Sequence, residues 1–399
     1  MKICVVSRGD LSLFPPTQGA SVKLFYTLKT LSNLGMNMYF VSAEDNFYYE
    51  IKKGKFIKRR YPWIIGRSPI RIFHKIFLSW LGFPNDIFVL YHPLVNFRLW
   101  LKLFYVALKE KIDLIQAEFT AFGIPAIFVK FFTFKPVVLV EHNVESSQLP
   151  DVTNLTPFGI KIVKFVENFV GTFSDKIIVM SEGEKRELKK MKIDENKIHV
   201  IPHGVDLNLY KNMNSENTKK KYKLKFPTLV FHGVYSYKPN LDAIKIISEK
   251  VLPALKKRGM NAKLLAIGDY PPKDIKNPDI IFTGVVKKLP DYIGAADIAV
   301  VPLRAGGGIR MKILEYFAAK KPVISTLVGV EGIEAKDGEE IIIADIDEFP
   351  EKIIKLIKSR TLRNRIAKNG FKFVKEYDWK KICMKYVSLY EKLLKQVKY

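Results

Sequence analysis

Short, nearly continuous apolar runs alternate along this chain with longer stretches in which apolar residues recur every three to four positions. Lys2–Ser7 (KICVVS) reads as a first buried strand. A Pro/Gly loop follows over Phe14–Ala20, and a helix runs from about Ser21 to Leu34, where Gly35 stops it. Met38–Ala43, Leu114–Ala117, Val137–Val140, Lys176–Met180 and Ile198–Ile201 are further runs of strand length, most of them separated by helical stretches. Val205–Phe226, polar and rich in Lys and Asn, reads as a linker. The rhythm then restarts with strands at Thr228–His232, Ala262–Ile267, Ile280–Thr283, Ile298–Pro302, Pro322–Ser325 and Glu340–Ile343, and a helix over Asn240–Arg258. Helices close the chain from Pro350 and again from Lys380.

Strand–helix alternation of this kind predicts parallel, doubly wound sheets. Two sets of it predict an α/β chain of two Rossmann-like domains facing each other across a cleft, with ligands at the carboxyl ends of the strands. The expected division is a first domain over residues 1–204, a second over 205–379, and a terminal helix over 380–399 crossing back to the first.

Charge changes the picture more than composition does. Lys and Arg number 66 against 40 Asp and Glu, a net +26, which suits phosphorylated ligands, polyanions or acidic lipid headgroups and says nothing about fold. The two cysteines, Cys4 and Cys383, belong to no CxxC or Cys/His cluster, so a cytosolic chain without disulfides or zinc is expected. MKICVVS has too short an apolar run for a signal peptide, and no run of about 18 uncharged apolar residues occurs. The expected location is cytoplasmic, with peripheral attachment to the inner face of the cell membrane in view. For a nucleic-acid-binding protein, which the charge invites, no helix-turn-helix, zinc finger or RNP motif is present.

The chemistry concentrates in Leu303–Ile333, which reads as a strand end, a triple-glycine loop, an amphipathic helix, a short strand and a second glycine-bearing turn. Gly306, Gly307 and Gly308 offer bare backbone amides that can curl around an anion. Ile309, Ile313, Leu314 and Phe317 follow at helical spacing, so those amides are delivered to a helix N-terminus. Arg310 and Lys312 place two cations in the first turn, where the macrodipole alone favours acids. Glu315, one turn after Lys312, can accept a hydrogen bond from a sugar hydroxyl. A phosphate beside a polyol is what this unit asks for, hence a nucleotide-sugar. In the first half Gly19 is a weaker candidate for a phosphate-binding turn, since GxGxxG is absent.

The series from Leu303 to Glu315, followed by Ala319-Lys-Lys-Pro-Val-Ile, resembles the donor-site signature of family 4 glycosyltransferases, which have the GT-B fold. Ile201-Pro-His-Gly-Val-Asp206, Phe231-His-Gly-Val-Tyr-Ser-Tyr-Lys-Pro-Asn240, Glu141-His-Asn-Val-Glu-Ser146 and Tyr377-Asp-Trp379 fall in that family's order and spacing, over nearly the whole chain. The resemblance implies a retaining transferase moving a sugar from a nucleoside-diphosphate sugar to a hydroxyl acceptor, lipid-linked or a cell-surface polysaccharide precursor. No cofactor beyond that co-substrate and no metal is implied by the resemblance.

Carried over residue by residue, Glu315 matches the second of two glutamates, the one that holds the ribose. The first falls on Gly307, so the triple glycine's amides are expected to replace its sugar contact. Val234 stands where the family has an Arg, which leaves Lys238 as the nearest cation and Arg310 and Lys312 as the preferred diphosphate partners. Val285 and Val286 are expected to meet the base through their backbone, and His142 to lie near the transferred sugar; His203 reads as structural. A nucleotide-sugar epimerase, a phosphorylase-like enzyme and a non-catalytic relic of the fold share these features.

A second candidate surface is the basic belt Ile51–Lys75, with nine Lys and Arg, no acid, and Phe56, Tyr61, Trp63 and Phe73 interleaved. Ile70, Phe73, Phe77 and Leu81 share a helical stripe with Arg67, Arg71 and Lys75 near it. Such a segment can lie on an anionic bilayer, which would suit a lipid-linked acceptor.

Overall fold

The computed structural model describes residues 1–8, 19–62, 71–84, 88–306 and 308–397. The chain divides into two compact units, one of Met1–Pro202 with Trp379–Tyr399 and the other of His203–Asp378.

In the first unit the strands are β1 (Lys2–Ser7), β2 (Asn37–Ser42), β3 (Phe47–Lys52), β4 (Lys55–Arg60), β5 (Leu114–Glu118), β6 (Val137–Val140), β7 (Lys176–Val179) and β8 (Ile198–Val200). They form one sheet in the order β4-β3-β2-β1-β5-β6-β7-β8. β1 lies inside it, parallel to β2 and β5, with Ile3 opposite both Met38 and Leu114. Ile3 to Val6 and Leu114 to Glu118 are buried at every position, which is why β1 reads as an unbroken apolar run and why Gln116 and Glu118 on β5 are held by buried polar partners.

β3 and β4 are an antiparallel hairpin that the apolar pattern does not announce. Its turn is Lys53-Gly54, both at positive φ (47° and 71°), as a two-residue hairpin turn requires. β4 carries four exposed Lys and Arg, which guard an unpaired sheet edge against further strand addition. Half of the basic belt therefore sits on this edge hairpin. Arg59 gives Nε and Nη2 to the buried Glu50 at 2.9 and 2.6 Å, and Lys52 pairs with the same carboxylate. Residues 63–70 of the belt, with Trp63, Arg67 and Ile70, lie outside the described residues. Of the expected helical stripe, Phe77 is exposed, as is Trp80 beside it, while Leu81 packs half-buried against the core that Leu78 enters; Ile70 and the Phe73 side chain lie outside what the structure describes.

The terminal helix Trp379–Val397 packs along the helix Gly19–Asn33. Trp379 stacks on Tyr26 at 5.9 Å and 6°, and the hydroxyl of the fully buried Tyr390 donates to Gln116 on β5.

The second unit holds β9 (Thr228–His232), β10 (Lys263–Ile267), β11 (Ile280–Phe282), β12 (Ile298–Val301), β13 (Val323–Ser325) and β14 (Ile342–Ile343), all parallel, in the order β11-β10-β9-β12-β13-β14. This is the doubly wound arrangement, with its switch point between β9 and β12. The linker expected over Val205–Phe226 is instead folded into this unit. Val205 bridges to Asp378, Leu207–Tyr210 makes a 3-10 turn with Tyr210 buried, and Glu216–Tyr222 is a helix. The helix after β9 runs from Lys238 to Lys257 with a π turn at Ile247–Val251. Pro253, which has no N–H to give the preceding turn, sits two residues after it.

Candidate functional site

Four loops leave the carboxyl ends of β9, β10, β11 and β12, and each contains glycine: Gly233, Gly268, Gly284 and the triple glycine. Backbone hydrogen bonds lace the first three together. Gly233 N–H donates to the Ile267 carbonyl at 2.9 Å and Gly268 N–H to the Gly284 carbonyl at 3.1 Å. A Cβ on Gly268 (φ +143°) would lie 1.9 Å from the Gly233 carbonyl oxygen, so only glycine fits this close crossing.

The helix delivered by the triple glycine spans Met311–Ala318, with Ile313, Leu314 and Phe317 buried beneath it. Arg310 is its N-cap rather than a first-turn residue, with non-helical dihedrals (φ −81°, ψ 85°). Its guanidinium turns back onto the loop, giving Nη2 to the Gly306 carbonyl at 2.7 Å and Nη1 to that of Gly308. Arg310 is thus a clasp that sets the loop's curl, and at least two of its five N–H groups are spent there. Gly306 and Gly308 have φ of +126° and +69°. Gly307 lies outside the described residues.

Lys312 follows, and its Nζ donates to Asn240 Oδ1 at 2.7 Å while sitting 4.1 Å from the centroid of Phe231. Asn240 in turn donates Nδ2 to the Val234 carbonyl at 2.9 Å, tying the turn after β9 to this helix. Burial first, then the neighbouring Arg310 charge, push the Lys312 ammonium down to about 7; Glu315 opposes them. An ammonium held this way is a partner for an anion that would restore its charge.

Glu315, one turn on, accepts a hydrogen bond from His232 at the end of β9, with Oε2 and Nε2 2.8 Å apart. The other ring nitrogen, Nδ1, is 3.0 Å from the hydroxyl of Tyr316, which also accepts the His232 backbone N–H at 2.9 Å. A carboxylate only accepts, so Nε2 carries a proton and gives it to Glu315, while the Tyr316 hydroxyl holds the ring from its other side. Oε2 is fixed by this bond; the residue is half-buried, and a carboxylate can accept further hydrogen bonds from sugar hydroxyls.

The remaining sequence-predicted positions in this unit are less constrained. Lys238 is exposed at the first position of its helix. Val285 is 74% exposed and Val286 half-buried, both in the loop after Gly284, where backbone groups are within a ligand's reach.

In the first unit, Gly19 opens the helix Gly19–Asn33, and the loop before it lies outside the described residues. His142 follows β6 and is buried, stacked on Phe119 with centroids 4.1 Å apart and planes 13° from parallel. Phe119 itself has φ +71°, an unusual conformation for an aromatic residue, held by its place between β5 and the helix Thr120–Thr133. His142 Nε2 lies 2.6 Å from Glu118 Oε2, and the Lys23 ammonium lies 3.2 Å from the same oxygen. Burial raises the Glu118 pKa, but Lys23 and His142 outweigh it and hold the carboxylate at about 2. Burial and the Lys23 charge bring His142 down to about 4, so at neutral pH the imidazole is neutral and donates from Nε2 to Glu118. Next to it stand three buried carboxyls, Glu141, Glu145 and Glu167. Burial and their mutual repulsion push Glu141 upward. Among the described residues no group of three or more His, Cys, Asp or Glu is placed to hold a metal ion.

Comparison with known proteins decides what this arrangement belongs to. The family model described as "Glycosyltransferase Family 4" matches residues 19–209, and the one described as "Glycosyl transferases group 1" matches 226–359. The chain belongs to the group 1 glycosyltransferases. An uncharacterized glycosyltransferase of Methanocaldococcus jannaschii is 26% identical over 58% of this chain, which spans 63% of that relative. The Escherichia coli UDP-Gal:alpha-D-GlcNAc-diphosphoundecaprenol alpha-1,3-galactosyltransferase is 25% identical over 70% of this chain and 76% of its own length. Among solved structures, Anabaena HepE in complex with UDP-glucose matches with a TM-score of 0.68 at 15% identity, covering 98% of this chain and 100% of that one. At such identity the likeness shows the fold, and the fold is GT-B.

Two residues of this glycosyltransferase went unassigned in the sequence although both stood in a quoted motif. His232 and Asn240 lie 83 and 72 positions from the side chains they hold, and nothing local marks them as their partners. The available signal was a histidine between an apolar strand and a glycine, at a turn where a doubly wound sheet binds ligands.

Proposed function

We propose that this glycosyltransferase moves a sugar, with retention of anomeric configuration, from a nucleoside-diphosphate sugar to a hydroxyl of a lipid-linked acceptor. The observation that carries the donor half is the pairing of Glu315 with His232 beside Lys312, at a strand edge made of glycine turns. A carboxylate with one oxygen fixed and acceptor capacity to spare suits the vicinal hydroxyls of a ribose. A lysine within a turn of it, its pKa lowered by burial, suits the diphosphate. The relatives' printed names support the substrate classes, a UDP-sugar donor and a diphosphoundecaprenol-linked acceptor.

In this reading the bond between the sugar's C1 and the diphosphate oxygen breaks, and C1 joins the acceptor oxygen on the same face. The acceptor's proton passes to the departing phosphate oxygen. Charge growing on the leaving group is met by Lys312, at about 1.5–3 kcal/mol for a charged hydrogen bond, and by the helix terminus, at about 0.3–2 kcal/mol. Together these contribute several powers of ten in rate at most. Arg310 acts one step removed, by holding the loop's amides in place. His142, neutral and fixed by Glu118, is a hydrogen-bonding group rather than a cation.

The test is product stereochemistry. The full chain is incubated with a panel of nucleoside-diphosphate sugars and an undecaprenyl-diphosphate-sugar acceptor, and the anomeric proton coupling of the product is read by NMR. An axial linkage from an axial donor is expected; an equatorial linkage would replace retention with inversion, and donor breakdown with no glycoside formed would remove the transferase reading.

A further inference from the structure

We propose that the helices Phe97–Lys109, Thr120–Thr133 and Pro157–Phe173 of the first unit form a docking face for an anionic lipid bilayer. They pack side by side: Gly123 lets the second approach the third so closely that a Cβ there would lie 2.1 Å from Val170. Their outward side carries an aromatic ribbon that crosses all three. Phe97 meets Trp100 at 5.0 Å, Trp100 meets Phe128 at 5.1 Å, and Phe128 meets Phe132 at 4.9 Å. One residue along, Phe131 meets Phe173 at 6.0 Å and so joins the third helix, where Phe173 meets Phe169 at 4.7 Å and Phe169 meets Phe165 at 6.3 Å. These rings are not core residues reaching the surface by chance. Phe97 is 65% exposed, Phe132 62% and Phe165 69%. A contiguous exposed patch of this kind marks an interaction surface.

Charge selects the occupant. Of the six Lys and Arg on the three helices, Lys102 is buried and Lys130 pairs with Asp175 just past the third helix. The helices' single acid, Glu167, is 2% exposed, so the remaining cations leave the face net basic. Lys109, Lys161 and Lys164 are exposed there. Aromatic rings with flanking lysines match the acyl boundary and headgroups of an anionic leaflet. A second copy of the chain would instead set one net-basic face against another, which like charges disfavour. No helix of the described residues is long and apolar enough to cross a membrane, so the face would lie on the bilayer rather than span it. The inference rests on the lipid-linked acceptor reading only for its purpose, and its test uses no donor and no transfer.

The full chain is floated with phosphatidylglycerol-containing vesicles and with pure phosphatidylcholine vesicles, at low and high salt. Wild type is expected to float with the anionic vesicles, less with neutral ones, and to be released by salt. Phe97→Ser/Phe132→Ser/Phe165→Ser is expected to float about tenfold less at unchanged Tm. Should that variant fail to fold, Lys161→Glu/Lys164→Glu, which touches only exposed lysines, must show the same loss on anionic vesicles. Wild type that stays unbound, a folded variant that floats as wild type does, or a wild-type dimer that these substitutions split without any flotation would overturn the proposal. A chain that floats but transfers nothing leaves this face standing and removes the transferase reading.

Discussion

Glu315 Oε2 and His232 Nε2 lie 2.8 Å apart, and the ring is held from its other side by Tyr316. A half-buried carboxylate on a helix is ordinarily free to rotate; here one oxygen is fixed before any ligand arrives. Pre-ordering of this sort lowers the entropy cost of binding. His232→Leu, which removes the donor but keeps an apolar body beside Tyr316, is expected to weaken nucleotide-sugar binding about five- to tenfold, the worth of one such hydrogen bond. Isothermal titration reads this directly, and unchanged affinity would show that Glu315 needs no partner.

Lys312 gives a pH signature. Its pKa is pushed down to about 7, by burial and then by Arg310, and a bound diphosphate must raise it again by favouring the charged form. Donor affinity is therefore expected to be strongest below pH 7 and to fall as pH rises above it, with protons taken up on binding. Calorimetry in two buffers of different ionisation enthalpy counts those protons; zero uptake at pH 8 would contradict this. The same depression costs stability. Lysine in the unfolded chain keeps its proton to a higher pH, so folding releases it between the two values and stability rises with pH across that window. Lys312→Met is expected to abolish donor binding while leaving Tm at pH 6 unchanged or about 2–4 °C higher.

The Lys23–Glu118 pair, with both side chains 1% exposed, is a buried ion pair that also fixes His142. Removing one partner strands a buried charge, whereas removing both does not. Glu118→Gln alone is expected to cost about 3–5 kcal/mol, and the double variant Lys23→Met/Glu118→Gln clearly less, in urea unfolding. Equal costs would mean the pair is not coupled. In wild type, nitrogen shifts of the His142 ring should titrate near 4 and show the proton on Nε2 at pH 7.

Glu145 lies in the buried acid group beside this site, hydrogen-bonded by Tyr91, and burial raises its pKa; Glu141 and Glu167 are raised as well. An acid whose folded pKa is raised holds its proton after the unfolded chain has lost it, so its contribution favours folding at low pH and fades as pH climbs from the unfolded value through the folded one. Glu145→Gln is expected to be near neutral at pH 5 and to stabilise by about 1–3 kcal/mol at pH 8.5. A variant that loses stability equally at both pH values would count against this.

The parallel strands at the centre of both sheets were legible because they are buried along their length, and a run such as VVLV or IAVV leaves few other readings. The hairpin Phe47–Arg60 was not, because its outer strand is an exposed edge whose composition is set by solubility rather than by a core. Within the candidate site, the glycine loop, Lys312 and Glu315 are adjacent in sequence and so could be read together. Arg310 showed its charge but not its direction: the same guanidinium that could face a phosphate instead holds two loop carbonyls. Long-range partners such as Asn240 and Tyr390 are set by the fold alone.

The central claim is that the carboxyl edge of the second sheet grips a nucleoside-diphosphate sugar through Glu315. Calorimetric titration of wild type and Glu315→Ala with the nucleotide-sugar that most raises the wild-type Tm tests it most directly. Saturable binding by wild type and at least about tenfold weaker binding by the variant, at equal Tm without ligand, is the predicted result. Equal affinity for both proteins would contradict it.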